Sequence, residues 1–147
     1  MSEVDEFLAI ALPRQREAEI ALHNGDPRPR KAFWSHRDPV TVLGAARSAS
    51  GWPEVEGLFD WLASSFSNGE SSRFDVIAAG ASGDLAYLVG FEHTTASVAG
   101  AAPVSYELRV TLVFRREDGE WKAVHRHADP MPDGLDAVEQ LRRGRVK

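Results

Sequence analysis

The chain has 147 residues, 43% of them hydrophobic and 27% charged, which is typical of a globular domain with a buried core. Its net charge of −5 argues against a nucleic-acid-binding surface, and the absence of cysteine excludes disulfides, thiolate metal ligands and a cysteine nucleophile. The acidic start MSEVDEFLAI does not resemble a signal peptide, and no apolar run reaches the roughly 20 residues that span a bilayer. We therefore expect a single domain over residues 1–147, with its core at about 4–130, in a cytoplasmic protein.

Helical patterns occupy the first half of the chain. Residues 2–23 carry apolar side chains at helical spacing, and Ser2 and Asp5 stand in a capping-box arrangement at the start. Pro13 lacks a backbone donor, so we expect a kink or a restart there. A second, short helix is predicted around KAFWS, and WPEVEGLFDWLASSF predicts a third with one apolar stripe. Between these two helices, HRDPVTVLG predicts a brief strand and AARSASG a loop.

Strand patterns follow in the second half. RFDVIAA, LAYLVGFEHTTA, SYELRVTLVFR and EWKAVHRH are rich in β-branched and aromatic residues, and the turn signals GASGD, GAAP and EDG separate them. Three helices ahead of a contiguous antiparallel meander predict an α+β domain with the helices on one face of the sheet. Residues 131–147 are predicted to form a solvated tail or a short last helix.

The last two strands are predicted to form a hairpin closed by the three-residue loop EDG, with Gly119 in a left-handed conformation. This register places Arg109 opposite His127, and side chains then alternate between two faces. One face carries Arg109, Thr111, His125 and His127 beside Trp121, and the other carries Val110, Leu112, Phe114 and Val124. A two-residue Asp118-Gly119 turn is the alternative. It would change the cross-strand partners but keep His125 and His127 on one face.

The order of these elements resembles the nuclear transport factor 2-like superfamily and is most similar to its SnoaL-like or ketosteroid-isomerase-like bacterial branch. The resemblance runs from about Val4 to Pro130 and is carried by SHRDPVTVLG, GDLAYLVGFE and LRVTLVFRREDGEWKAVHRHADP. It implies a cone-shaped, strongly curved antiparallel sheet wrapped around the helices, an apolar pocket at the wide end and, in many members, a dimer. It implies no single reaction, because members include isomerases, cyclases, dehydratases, epoxide hydrolases and scaffolds without chemistry.

The catalytic pattern of the steroid isomerases in this superfamily is not present. Those enzymes use a tyrosine in the first helix, an aspartate base after the second helix and an aspartic acid on a late strand. The corresponding positions here hold Ala18, Leu43 and either Thr111 or Leu112. Steroid isomerisation by that mechanism is therefore disfavoured.

Three polar residues of the last two strands are the candidate catalytic groups. His125 and His127 could act as general base and acid near neutral pH, or each could be a hydrogen-bonded structural residue. Arg109 could stabilise a substrate carboxylate or enolate, or form a salt bridge with Asp38, Glu92 or Asp129. His-x-His alone does not make a zinc site, which needs a third protein ligand. We expect neither a metal ion nor another cofactor.

Six further residues are assigned to the wall of the predicted pocket. They are Trp34, Asp38, Trp52, Phe59, Thr111 and Asp129. The aromatic side chains among them could equally belong to the core, since such pockets and cores are both apolar. Asp38 could orient one of the histidines, or it could bond to the backbone of its own turn. His23 and His36 are predicted to be exposed, because they lie near helix ends.

These residues predict a pocket that binds a small organic molecule, aromatic or carboxylate-bearing, of unknown identity. One alternative is a cofactor-free isomerase, cyclase or dehydratase that uses a pocket histidine with arginine stabilisation. Another is a dimerisation module without chemistry. We expect a homodimer formed through the sheet, with Val110, Leu112, Phe114 and Val124 as an apolar patch on its convex face. No nucleic-acid or membrane partner is expected.

Overall fold

Three helices precede the sheet in the computed structural model, which describes residues 1–131. The helices are α1 (Glu3–Leu22), α2 (Arg28–Phe33) and α3 (Trp52–Ser65). Ser2 accepts a hydrogen bond from the backbone of Asp5, whose carboxylate reaches back to Ser2, so the predicted capping box is confirmed. α1 continues through Pro13 without a restart. None of the helices in residues 1–131 has the length and apolar character needed to cross a membrane. The predicted tail or last helix lies, apart from Met131, outside the described residues.

Six strands form one curved, unclosed sheet on which the helices pack, which confirms the predicted α+β class. The strands are β1 (Thr41–Leu43), β2 (Ser48–Ser50), β3 (Phe66–Ser82), β4 (Leu85–Val98), β5 (Val104–Glu117) and β6 (Glu120–Pro130). Their order across the sheet is β2-β1-β6-β5-β4-β3. The sheet is mixed rather than wholly antiparallel, because β1 lies parallel to β6. The predicted loop AARSASG contains β2, which is stabilised as a strand by pairing with β1.

The core lies between the helices and the inner face of the sheet. Phe7 of α1 is fully buried and meets the rings of Phe114 at 5.0 Å and Trp121 at 5.3 Å, both in edge-to-face geometry. Phe33 of α2 adds a third aromatic contact to Phe114 at 5.5 Å. The helices therefore cover the inner face of β5 and β6 and decide which side chains of these strands are buried.

The β5–β6 hairpin has a two-residue turn, so the predicted three-residue loop is wrong. Asp118 and Gly119 both have positive φ, 51° and 79°, as the tight hairpin turn favoured by Asp-Gly requires. Farther along the hairpin, Val113 pairs with His125 whereas the next residue of β5 pairs with Ala123. Val124 is thus an extra residue in β6, and it forms a β-bulge.

This bulge changes the face of the sheet on which the side chains of β6 beyond Val124 lie. Buried side chains on the inner face of the hairpin are Val110, Leu112, Phe114, Trp121, Ala123, Arg126 and Ala128. Arg109, Thr111, Val113, His125, His127 and Asp129 alternate with them and point outward. The predicted convex apolar patch is therefore wrong, because Val110, Leu112 and Phe114 belong to the core and Val124 is the bulge residue.

Candidate ligand-binding site

A mainly apolar cavity of about 390 Å³ lies between the helices and the inner face of the sheet. Its apolar lining comes from α1, α3 and strands β1, β3, β4, β5 and β6. The residues are Leu22, Val42, Ala45, Ala46, Leu58, Leu62, Phe66, Val98, Val104, Leu108 and Ala128. Val98 and Val104 are exposed and lie at its mouth, together with the turn between β1 and β2. Size and lining are those of a small-molecule site.

Four buried charged residues, the charge cluster, line the inner end of this cavity: Glu19, Arg30, Glu92 and Arg126. Arg126 donates two hydrogen bonds to Glu92, with Nη1–Oε2 and Nη2–Oε1 distances of 2.8 and 2.7 Å. Arg30 donates to Oε1 of Glu19, and Arg126 Nη1 lies 4.0 Å from the same oxygen. Gln15 links the two carboxylates, with its Nε2 3.1 Å from Glu19 and 3.0 Å from Glu92.

Mutual neutralisation keeps the cluster ionised in spite of its burial. Burial alone would raise the pKa of Glu19, but the positive charges of Arg30 and Arg126 outweigh it and lower the pKa to about 2. Burial would also lower the pKa of Arg126, but the negative charge of Glu92 outweighs this and raises it. Throughout residues 1–131, each buried side-chain nitrogen or oxygen has a hydrogen-bond partner. The cluster is thus a satisfied network whose formal charges cancel.

A histidine–tyrosine pair lies beside the cluster and also lines the cavity. His23 follows the last turn of α1, and its Nδ1 is 2.7 Å from the backbone oxygen of Glu19. Its Nε2 is 2.5 Å from the hydroxyl of Tyr106 on β5. Burial and the carboxylates of Glu19 and Glu92 raise the pKa of Tyr106, so the phenol stays protonated. The pair can therefore pass a proton between a ligand and the imidazole.

The predicted catalytic residues lie on the outer face of the sheet and not in the cavity. Arg109 binds Asp129 through two hydrogen bonds of 2.8 and 2.9 Å, so its salt-bridge alternative is the one observed. His125 bonds through Nδ1 to Thr41 Oγ1 at 2.7 Å. Partial burial and the charge of His127 lower the pKa of His125. Arg109 points outward because the helices cover the opposite face of β5, and the bulge at Val124 places His125 and His127 on the same outer side. A chemical role for these three residues stays a prediction.

The six predicted wall residues do not line the cavity either. Trp34 and Phe59 are buried in the core and meet edge to face at 5.2 Å. Trp52 stacks on the exposed ring of His36 at 3.9 Å, and Asp38 accepts a 3.0 Å hydrogen bond from the backbone of Trp52 and so caps α3. The remaining two, Thr111 and Asp129, share a shallow depression of the outer face with Arg109 and His127.

The residues of the observed site were not among the candidates, although their spacing holds a signal. Gln15 and Glu19 fall on the helical stripe of Phe7 and Ala11, which places polar side chains on a core-facing position. Glu92 likewise lies on the same buried face of β4 as Ala86 and Leu88, and Arg126 lies on the same buried face of β6 as Ala128. His36 is exposed as predicted, but His23 is only 4% exposed, so the prediction for it is wrong.

A metal site would need several ligating side chains close together. Among residues 1–131, no three His, Asp or Glu side chains are arranged to hold an ion.

Comparison with known proteins is consistent with this architecture. Residues 19–133 match the family model of the SnoaL-like domain. A nuclear transport factor 2-like protein from Salmonella enterica Typhimurium has a TM-score of 0.75 at 16% identity, over 89% of this chain and 95% of its own. A candidate dehydratase of the nuclear transport factor 2-like family from Streptomyces avermitilis has a TM-score of 0.68 at 21% identity, over 88% of this chain and 99% of its own. A protein with a cystatin-like fold from Nostoc punctiforme has a TM-score of 0.62 at 19% identity, over 90% of this chain and 96% of its own.

At these identities, the structural matches establish the fold and no more. No functionally curated protein matches the chain in sequence. The family model, by contrast, covers most of the chain and includes every residue of the charge cluster together with His23 and Tyr106. The protein therefore belongs to the SnoaL-like domain family.

Proposed function

We propose that the protein binds a small, largely apolar organic molecule in the internal cavity. One observation supports this most strongly: apart from Arg47 at the mouth, the outer part of the cavity wall is apolar, and the other charged and polar groups are concentrated at the buried end. A pocket of this kind removes the apolar body of a ligand from water and leaves a few polar groups to orient it. The outer face, where Arg109 and Asp129 satisfy each other, offers no comparable enclosure.

Proton transfer is a second candidate function at the same site. His23 and Tyr106 provide an imidazole and a phenol in direct hydrogen-bond contact on the cavity wall. This pair, in place of His125 and His127, would serve as the acid–base group of a cofactor-free lyase or isomerase. The candidate dehydratase among the structural relatives is compatible with such chemistry.

The binding proposal predicts that 2-methoxynaphthalene, an uncharged apolar probe, enters the cavity. If each non-hydrogen atom of the probe contributes about 0.5 kcal/mol of binding free energy, its dissociation constant should be on the order of 10–100 µM in calorimetric titration. Leu108→Trp places an indole inside the cavity and should weaken binding at least about tenfold, because it occupies the space of the probe. Ser105→Trp places the same ring on the outer face of β5 and is the matched control. Equal affinities for the two variants would contradict the proposal.

We also propose a homodimer formed through the outer face of the sheet, at a patch different from the one first predicted. The outer patch consists of Ile77, Tyr87, Val89, Phe91 and Val113. Ile77 is 61% and Tyr87 45% exposed, which is unusual for large apolar side chains lying next to one another. A two-fold axis through this patch would bury it against its own copy.

Phe91→Glu should therefore convert the dimer into a folded monomer, because it places a charge in the centre of the apolar contact. Sedimentation velocity at several protein concentrations measures this change. Val104→Glu adds the same charge to an exposed apolar residue at the cavity mouth, away from the outer patch, and should leave the dimer intact. A wild-type protein that sediments as a monomer would refute the proposal, as would an undisturbed Phe91→Glu dimer.

A further inference from the structure

Charge balance at the inner end of the cavity limits the ligands that it can accept. Glu19 and Glu92 contribute two negative charges, and Arg30 and Arg126 contribute two positive charges, with all four side chains buried. An anionic ligand would have to compete with these carboxylates for the guanidinium groups, and a cationic ligand would have to compete for the carboxylates. Either one would leave a buried charge without a partner, which is strongly unfavourable. An uncharged ligand leaves the network intact.

Arg47 is a further positive charge on the cavity wall, but it lies at the mouth. It is exposed, and its guanidinium stacks 3.7 Å above the centre of the Trp61 ring. A charge in this position remains hydrated and is screened by solvent. It therefore does not alter the balance at the buried end.

The hydrogen positions in the His23–Tyr106 pair further restrict which hydrogen bonds a ligand can form in the cavity. The backbone oxygen of Glu19 can only accept, so the Nδ1 of His23 carries the proton in that contact. In the neutral imidazole, Nε2 is then an acceptor, and the Tyr106 hydroxyl donates its single hydrogen to it. The phenolic oxygen can accept from the Thr94 hydroxyl, keeps further lone-pair capacity and lies on the cavity wall. It can accept a hydrogen bond from a ligand but has no hydrogen left to donate.

From these two constraints we infer that the ligand is an uncharged molecule with an apolar body and a hydroxyl group that donates to Tyr106. This inference rests on the proposed binding function and specifies its ligand class. It differs from the expectation of a carboxylate-bearing ligand, which depended on an arginine free to bind it. Arg109 is paired with Asp129 on the outer face, and the two arginines at the inner end of the cavity, Arg30 and Arg126, are paired with Glu19 and Glu92.

Three naphthalene derivatives that differ in one substituent test this inference. They are 2-naphthol, 2-methoxynaphthalene and 2-naphthoate, titrated calorimetrically into the 147-residue protein at about pH 8. 2-Naphthol should bind about 2- to 10-fold more tightly than 2-methoxynaphthalene, because it alone donates a hydrogen bond. 2-Naphthoate should bind at least about tenfold more weakly than 2-methoxynaphthalene, because its charge finds no free partner at the buried end of the cavity.

Tyr106→Phe should abolish the advantage of 2-naphthol and leave 2-methoxynaphthalene bound, which also shows that the variant is folded. The sequence has one other tyrosine, Tyr87, on the outer face, and Tyr87→Phe is the matched control that should preserve the full ranking. An advantage of 2-naphthol that survives Tyr106→Phe, or tightest binding of 2-naphthoate, would overturn the inference while leaving the binding proposal standing. If Leu108→Trp does not weaken 2-methoxynaphthalene, the binding proposal fails and the inference fails with it.

Discussion

Replacing Arg126 with methionine is expected to lower the free energy of unfolding by about 3–5 kcal/mol, the usual cost of removing one partner from a buried ion pair. The side chain of Arg126 is 7% exposed and that of Glu92 4%, so the carboxylate would be left in the core without its two charged hydrogen bonds. Urea denaturation followed by circular dichroism gives the free energies directly.

Arg109→Met is the matched control for this prediction. Arg109 also forms two hydrogen bonds with a carboxylate, and it lies on the strand next to Arg126. Its side chain is 48% exposed, however, and water can replace Asp129 as a partner. The expected loss is therefore much smaller than that for Arg126→Met. Equal losses for the two variants would mean that the ion pair of Arg126 and Glu92 is not buried in solution.

Acid should destabilise the protein through Glu19. Its pKa is about 2 in the folded protein, against an ordinary value of 4.5, because Arg30 and Arg126 favour the carboxylate over the neutral acid. A lowered pKa means that the stabilisation is complete above about pH 5 and is lost as the pH falls towards 2. The difference corresponds to about 3 kcal/mol. The Glu19→Gln variant cannot bind this proton. Above about pH 5 its free energy of unfolding should be lower than that of wild type, and this difference should shrink by about 3 kcal/mol as the pH falls towards 2.

Glu6→Gln provides the control for the acid prediction. Glu6 is an exposed carboxylate on the same helix, and its removal should leave the pH profile of wild type nearly unchanged. The measurement is the free energy of unfolding in urea at intervals between about pH 2 and pH 6. A deficit of Glu19→Gln that stays constant over this interval would show that the carboxylate is not stabilised by the arginines.

The residue pattern alone determined the helices and the four long strands of this protein and their order. Helical spacing identified α1 and α3, the Ser2–Asp5 pair identified the start of α1, and alternation with β-branched residues identified the four long strands. These signals are local, since each depends on side chains only a few residues apart. The resemblance of the last strands to the SnoaL-like branch was likewise correct, because it follows the same local order.

The tertiary structure decided which face of β5 and β6 is buried. Alternation divides a strand into two faces but does not say which one the helices cover. The bulge at Val124 then moved His125 and His127 to the face opposite Trp121. Such a bulge leaves no mark in the alternation itself, because one extra residue shifts the side chains beyond it to the other face of the sheet.

The charge cluster also depended on the tertiary structure. Glu19, Arg30, Glu92 and Arg126 come from α1, α2, β4 and β6, and no two of them are close enough in sequence to indicate a pair. In sequence, each is an ordinary charged residue, and such residues are usually exposed. Burial becomes possible only where opposite charges from distant segments meet and satisfy each other, which is a property of the assembled fold.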